Sequence, residues 1–256
     1  MDKITTIGLL LGWGSVIFCV AHEGGSAKEF WNIGAFILVI GGTFGAAMTG
    51  FSMHTMMQVP KIAARAFTGI KTKSKELITT MVDFSTKSRR DGVLALEDSI
   101  ETIKDPFMKE GMQLLVDGID QERMRTILEN HISTTKTWYK EGEEFFKQLG
   151  GFAPTLGIIG TVFGLIGMLG KLSDPGTMGP AIATAFIATL YGVSTANLIF
   201  LPIGNKLKAV AAEDITLKKI FLEGLICIQS GASPRMTQQT MESMLHDAKG
   251  KEEPKK

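Results

Sequence analysis

The side chains best placed to do chemistry in this sequence are hydroxyls set inside apolar stretches. Thr155, Thr161, Thr184, Thr189, Ser194 and Thr195 fall in two such stretches, residues 150–170 and 178–204. A hydroxyl in a bilayer usually bonds a carbonyl one turn back on its own helix. Its other use is to line a hydrated path for an ion, and the spacing selects none of the six for that role. Two earlier apolar stretches, 4–21 and 30–57, complete a set of four, and none of the four contains Asp or Glu. An ionisable group in hydrocarbon is costly and so marks an ion path by default. Here there is none to mark. If this chain takes part in moving ions, a different chain must supply the acid.

Other chemistries are poorly served. Cys19 and Cys227 stand far apart and form neither a disulfide framework nor a metal site. His22, His54, His131 and His246 share no metal-ligand spacing, so no metal is expected. No nucleophile–base set or phosphate loop is visible, which argues against an enzyme and implies no cofactor. No basic stripe with interleaved aromatics points to nucleic acid.

The elements that must hold the hydroxyls are helices. Hydrophobic residues are 45% of the 256, and mean hydropathy is +0.17 with a net charge of only +1, an average over two regimes. Each apolar stretch is near the roughly 20 residues that cross about 30 Å of hydrocarbon. Lys3 ahead of the first stretch resembles a signal peptide, but no small-x-small site closes it and a second stretch soon follows. The first two stretches therefore read as a hairpin with a short external turn at 22–29. That turn holds Lys28 alone and the last link Lys171 alone, against fifteen Lys and Arg in 58–149 and nine in 205–256. Positive charge stays cytoplasmic, which places both termini and the central segment inside. Fifteen Asp and Glu in 58–149 make that segment a mixed-charge folded domain. The expected fold is all-α: a polytopic membrane protein with four transmembrane helices and a helical cytoplasmic domain. Its parts are a hairpin over 1–57, the domain over 58–149, a second pair of spans over 150–204, and a cytoplasmic C-terminal helix with a disordered tail over 205–256.

Within the domain, 59–86 reads as one helix with Pro60 at its start, 88–92 as a turn, and 93–100 as helical again. Asp105 and Pro106 begin a helix by the N-cap and N1 rules, and Asp117-Gly118 ends it. From Asp120, Met124, Ile127, Leu128, Ile132, Trp138, Phe145, Phe146 and Leu149 recur on one broad face. Residues 120–148 thus make about 43 Å of helix running almost unbroken into the third span. Such a helix suits a carrier of displacement as well as a plain stalk. Gly157, Gly160, Gly164 and Gly167 form one seam on the third span, and Gly41 and Gly45 a GxxxG on the second, arguing for close helix contact within a chain or around an oligomer. Pro154 reads as a helix start at the third span, and Pro202 as a kink at the inner end of the fourth, because it removes an intrahelical bond.

These features together resemble a family. Two N-terminal spans, a charged helical domain, and two spans carrying Ala153-Pro154-Thr155-Leu156-Gly157 and Ala188-Thr189-Leu190-Tyr191-Gly192 are similar to the flagellar motor stator A subunit, MotA/PomA, over nearly the whole chain. The segment from Arg89 to Glu97 resembles the rotor-contacting stretch of that family. The resemblance implies a homo-oligomer, a pentamer, around a stator B subunit that supplies an ion-binding aspartate, all in the inner membrane. It implies that Arg89, Arg90 and Glu97 face a FliG-type rotor switch protein, that Thr161 and Thr189 line the ion path, and that Pro154 and Pro202 act as conformational hinges. The transported ion is H+ or Na+; the two threonines point to sodium, and Ala188 pulls against that reading. The alternative is an ExbB/TolQ-type energy transducer for outer-membrane processes, whose members have three spans and an external N-terminus. The last twenty or so residues fall outside the resemblance and are expected to be disordered.

Overall fold

The computed structural model describes residues 3–22, 30–70, 72–170 and 175–250, so the expected turn beyond His22 and the link at Lys171 lie outside the described residues. No strand is present among the described residues. The chain divides into two compact units, Met1–Gly69 with Tyr139–Ala209, and Ile70–Trp138 with Val210–Lys256.

The first unit holds the apolar helices. α1 (Lys3–His22) turns large apolar side chains such as Ile4, Leu10, Leu11 and Phe18 outward, as a helix facing lipid or another apolar partner must. α2 (Ile33–Phe36) and α3 (Gly42–Met48) are joined through a π-turn at Ile37–Gly41. The combined helix Ile33–Met48 is shorter than the stretch 30–57: about 24 Å. The chain turns after Met48, and Ser52 caps α4 (Met53–Thr68) by accepting the Thr55 N–H at 3.2 Å. Pro60 therefore lies inside α4 and does not start it, because the Ser52 hydroxyl has already satisfied the helix N-terminus. α8 (Gln121–Leu169) is one unbroken helix of 49 residues, and its part from Tyr139 belongs to this unit. Beside it run α9 (Pro175–Thr195), a π-turn at Ala196–Phe200, and the start of α10 (Leu201–Gln229). By length and composition Ile4–His22, part of α8, and part of Met178–Gln229 can each cross a membrane. Phe44, Phe51, Phe145, Phe146 and Phe200 cluster between these helices, edge to face except for the tilted pair Phe44–Phe145.

The second unit is a water-type core. The expected single helix 59–86 is broken, since Gly69 at φ 63° ends α4 and α5 (Ser74–Asp91) begins afresh. α5 also runs through 88–91 of the turn expected at 88–92; the reversal is made by Gly92, at φ 88°, a value that favours glycine. A 3-10 turn (Val93–Leu96) and α6 (Glu97–Ile100) follow. α7 (Pro106–Val116) is capped by Asp105, which accepts the Met108 N–H at 3.0 Å, and Gly118 at φ 69° lets the chain turn toward α8. α11 (Pro234–Gly250) packs on α5, with Met241 fully buried and the Thr237 and Ser85 hydroxyls 3.4 Å apart. As far as Gly250 the expected disordered tail is instead helical, docked by Thr237 and Met241 one turn apart; the residues after it lie outside the described residues. Met81, Met112, Met124, Leu128, Phe221 and Leu225 fill the core.

Candidate functional site

The small residues on α8 decide how closely α9 can approach it. A Cβ on Gly157 would lie 2.9 Å from the Ala188 carbonyl oxygen, one on Gly160 2.5 Å from Ala188 Cβ, and one on Gly164 2.6 Å from Ala185 Cβ. The seam therefore joins the third and fourth apolar helices of one chain, and Gly167 stands outside it with nothing within 4 Å. The GxxxG of the second helix is not used in this way: Gly45 meets nothing within 4 Å, whereas Gly42 abuts Leu156. The π-turn Ile37–Gly41 adds a residue to its turn and rotates the packing face.

This close approach brings two of the six hydroxyls together. Thr161 Oγ1 and Thr189 Oγ1 are in direct hydrogen-bond contact. Thr161 Oγ1 also lies 3.0 Å from the Ala185 carbonyl and 3.2 Å from that of Gly157, and Thr189 Oγ1 lies 3.4 Å from the Gly157 carbonyl. Two hydroxyl and two carbonyl oxygens thus converge where α8 and α9 touch. The hydroxyl protons lie between these oxygens, so the group is hydrogen-bonded within itself; with the hydroxyls rotated, the same oxygens are of the neutral kind that coordinate cations in membrane proteins. Thr155 and Thr195 follow the ordinary pattern and bond carbonyls on their own helix, Phe152 at 2.7 Å and Tyr191 at 2.7 Å. Among the described residues no cluster of His, Cys, Asp or Glu could hold a metal.

The two prolines lie beside packed backbone. Pro154 sits inside α8 and does not start a helix, because the helix is already under way from the Asp120 cap, which accepts the Arg123 N–H at 3.0 Å. Pro202 lies inside a continuous helix, Met178–Gln229, immediately after the π-turn Ala196–Phe200, so its missing N–H removes an intrahelical bond where that turn is already widened. The turn before it is widened to π geometry, with the Leu201 N–H donating to the Ala196 carbonyl. Gly150 abuts Leu201 so tightly that a Cβ would lie 2.6 Å from Leu201 Cγ, which sets the segment preceding Pro154 against the segment holding Pro202.

Arg89, Arg90 and Glu97 form a separate, exposed group in the second unit. The arginines occupy the last turn of α5, where a cation is favoured by the helix dipole, and Glu97 the first turn of α6. The 3-10 turn between them packs back on α5, so the three flank one chain reversal. Arg90 forms a forked pair with Asp91, Nη2 to Oδ2 at 2.8 Å and Nε to Oδ1 at 2.9 Å. The hydrogen bond holds the Asp91 carboxyl below its ordinary range and raises the guanidinium. Arg125 forks onto Glu223 in the same unit at 2.7 and 3.1 Å, a contact that ties α8 to α10 and that helical spacing could not foretell.

Sequence reading missed Asn32 and Tyr191. Asn32 Nδ2 donates to Thr184 Oγ1 at 3.1 Å across 152 residues, and the Asn32 N–H donates to Tyr191 Oη at 3.2 Å. The one available signal was an amide inside an apolar run.

Comparison with known proteins places this architecture. Residues 99–220 match the MotA/TolQ/ExbB proton channel family. The chain is 34% identical to motility protein A of Borreliella burgdorferi over 96% of its own length and 94% of the relative's. The chain belongs to the motility protein A family. Its fold is likewise that of solved members: it superposes on a chain of C. jejuni MotAB with a TM-score of 0.89, 31% identity and coverage of 95% of this chain and 96% of that one. For the flagellar MotAB stator complex from Bacillus subtilis the TM-score is 0.87, with 31% identity and coverage of 98% and 100%. The apolar helices of the first unit are accordingly those of a membrane protein.

Proposed function

We propose that this chain is the A subunit of a flagellar motor stator, an ion-driven torque generator. The observation that supports this most directly is the match, end to end, with a chain of a flagellar MotAB stator complex. In this reading four apolar helices cross the inner membrane with both termini cytoplasmic, and copies of the chain assemble, as a pentamer, around a B subunit. The acid-free spans agree with a partner that brings the ion-binding aspartate. Thr161 and Thr189 then line the path with neutral oxygens for H+ or Na+, the hydroxyl pair favouring sodium. Each unit charge falling through 100 mV releases about 2.3 kcal/mol, which is the energy available for turning. Pro154 and Pro202 allow the paired helices to flex as the ion passes, and Arg89, Arg90 and Glu97 pass the displacement to a FliG-type rotor protein by charge contacts.

The test is swimming speed in a strain lacking the chain and complemented with it and its B partner, while sodium and proton gradients are varied separately. Restored swimming that tracks one gradient is expected and names the ion. Normal swimming without the chain refutes the motor reading.

A further inference from the structure

Asn32 begins as an ordinary helix cap. Its backbone is extended, at φ −128° and ψ 109°, and its Oδ1 accepts the Ala35 N–H at 2.9 Å. Its remaining polar groups reach a different helix. Nδ2 donates to Thr184 Oγ1 at 3.1 Å, and the backbone N–H donates to Tyr191 Oη at 3.2 Å. The Tyr191 O–H in turn donates to the Phe30 carbonyl, and its ring meets Phe36 edge-on at 6.4 Å between centroids. One residue at the start of α2 thus grips α9 at two points.

Those two points are seven residues apart, about two helical turns, and so lie on one face of α9. They bracket the two oxygens that α9 contributes to the oxygen cluster: the Ala185 carbonyl follows Thr184 directly, and Thr189 precedes Tyr191 by two. A rotation or slide of α9 against α8 that opened the cluster would strain the Thr184 bond, the Tyr191 bond, or both. Both bonds are part-buried, and breaking either leaves a polar group without its partner, so each of these contacts resists such motion.

We infer that Asn32 and Tyr191 are positioning residues for the Thr161–Thr189 cluster, holding α9 in the rotation and register at which its oxygens face α8. The inference rests on the reading above that this cluster lies on the ion path.

The experiment uses the A–B complex in swimming cells. N32S keeps a capping hydroxyl for Ala35 but is too short to reach Thr184; T184V removes only the hydroxyl; Y191F keeps the ring on Phe36. The readouts are the concentration of the coupling ion at half-maximal speed, and the abundance of the chain with its co-purified B partner. N32S and T184V are each expected to raise the half-maximal concentration about threefold, the factor for one interhelical hydrogen bond in a membrane, and Y191F, which removes two bonds, at least as much, all at unchanged abundance. N32S/T184V should do no more than N32S alone, since both remove the same bond. An unchanged ion response, a loss confined to abundance, or effects of N32S and T184V that add would overturn the positioning role. T161V separates the two layers of the argument. If it leaves the ion response unchanged, the ion-path reading fails; if it shifts the response while the latch variants do not, the positioning role alone fails.

Discussion

The same substitution, Gly to Ala, should have opposite consequences at positions of α8 that share one seam in the sequence. At Gly157 an added methyl would sit 2.9 Å from the Ala188 carbonyl oxygen and 3.1 Å from Thr189 Cα, both backbone atoms of α9. Carbon contacts are comfortable only at about 3.5–4.0 Å, so α8 and α9 must part by roughly half an ångström. Overpacking of this kind costs about 1–3 kcal/mol. Alanine also gains about 1 kcal/mol over glycine as a helix former. At Gly167 nothing lies within 4 Å, and only that gain remains. Comparing G157A with G167A cancels the propensity effect and leaves a gap of about 1–3 kcal/mol, with G167A the more stable. G160A and G164A belong with G157A, because their methyls would meet Ala188 and Ala185 at 2.5 and 2.6 Å. The assay is thermal unfolding of the purified A–B complex, alongside membrane abundance, where 1–2 kcal/mol changes the level about several-fold. G157A should also lower speed beyond its effect on abundance, since the Gly157 carbonyl and Thr189 belong to the oxygen cluster. If G167A is as harmful as G157A, or G157A matches the parent, the reasoning from the α8–α9 contact is refuted.

Charge reversal by R90E or E97K should impair rotation while membrane level and B-subunit co-purification stay within about 0.5 kcal/mol of the parent, as for surface substitutions; loss of insertion would make these residues structural. Pro202→Ala should restore one backbone donor beside the π-turn and cut torque, measured on tethered cells, by a larger factor than it cuts abundance. Equal losses would confine the proline to folding. Met241→Ala should cost about 2–5 kcal/mol, as for a fully buried methionine, because it empties the contact of α11 with α5 and Gly224; limited proteolysis within α11 reports it, and unaltered resistance would show the contact to be dispensable.

The group of Arg89, Arg90 and Glu97 shows how a local reading can name residues and misplace them. Arg89, Arg90 and Glu97 stand out as charges around Gly92, yet α5 continues as far as Asp91, through most of the turn expected at 88–92, and the positive φ of Gly92 ends it. Asp91 takes the fork of Arg90, a contact between neighbours that depends on the side chains' final rotamers. In α8, Pro154 looked like a start signal because glycines precede it; the long apolar face reaching back to Asp120 outweighs one lost hydrogen bond.

What the sequence determined by itself is whatever is local and additive. Hydropathy summed over a window marks the apolar helices, the absence of acid from them argues against a self-contained ion carrier, and caps such as Asp105 and Asp120 set helix starts within a residue or two. What the tertiary structure alone decided is rotation and register. Each residue turns a helix by about 100°, so one extra residue in a π-turn moves the packing glycine from Gly41 and Gly45 to Gly42. The same geometry picks Thr161 and Thr189 out of six hydroxyls, and joins Asn32 to Thr184 across 152 residues. Such pairings depend on how two helices face each other, a relation that no window along one of them contains.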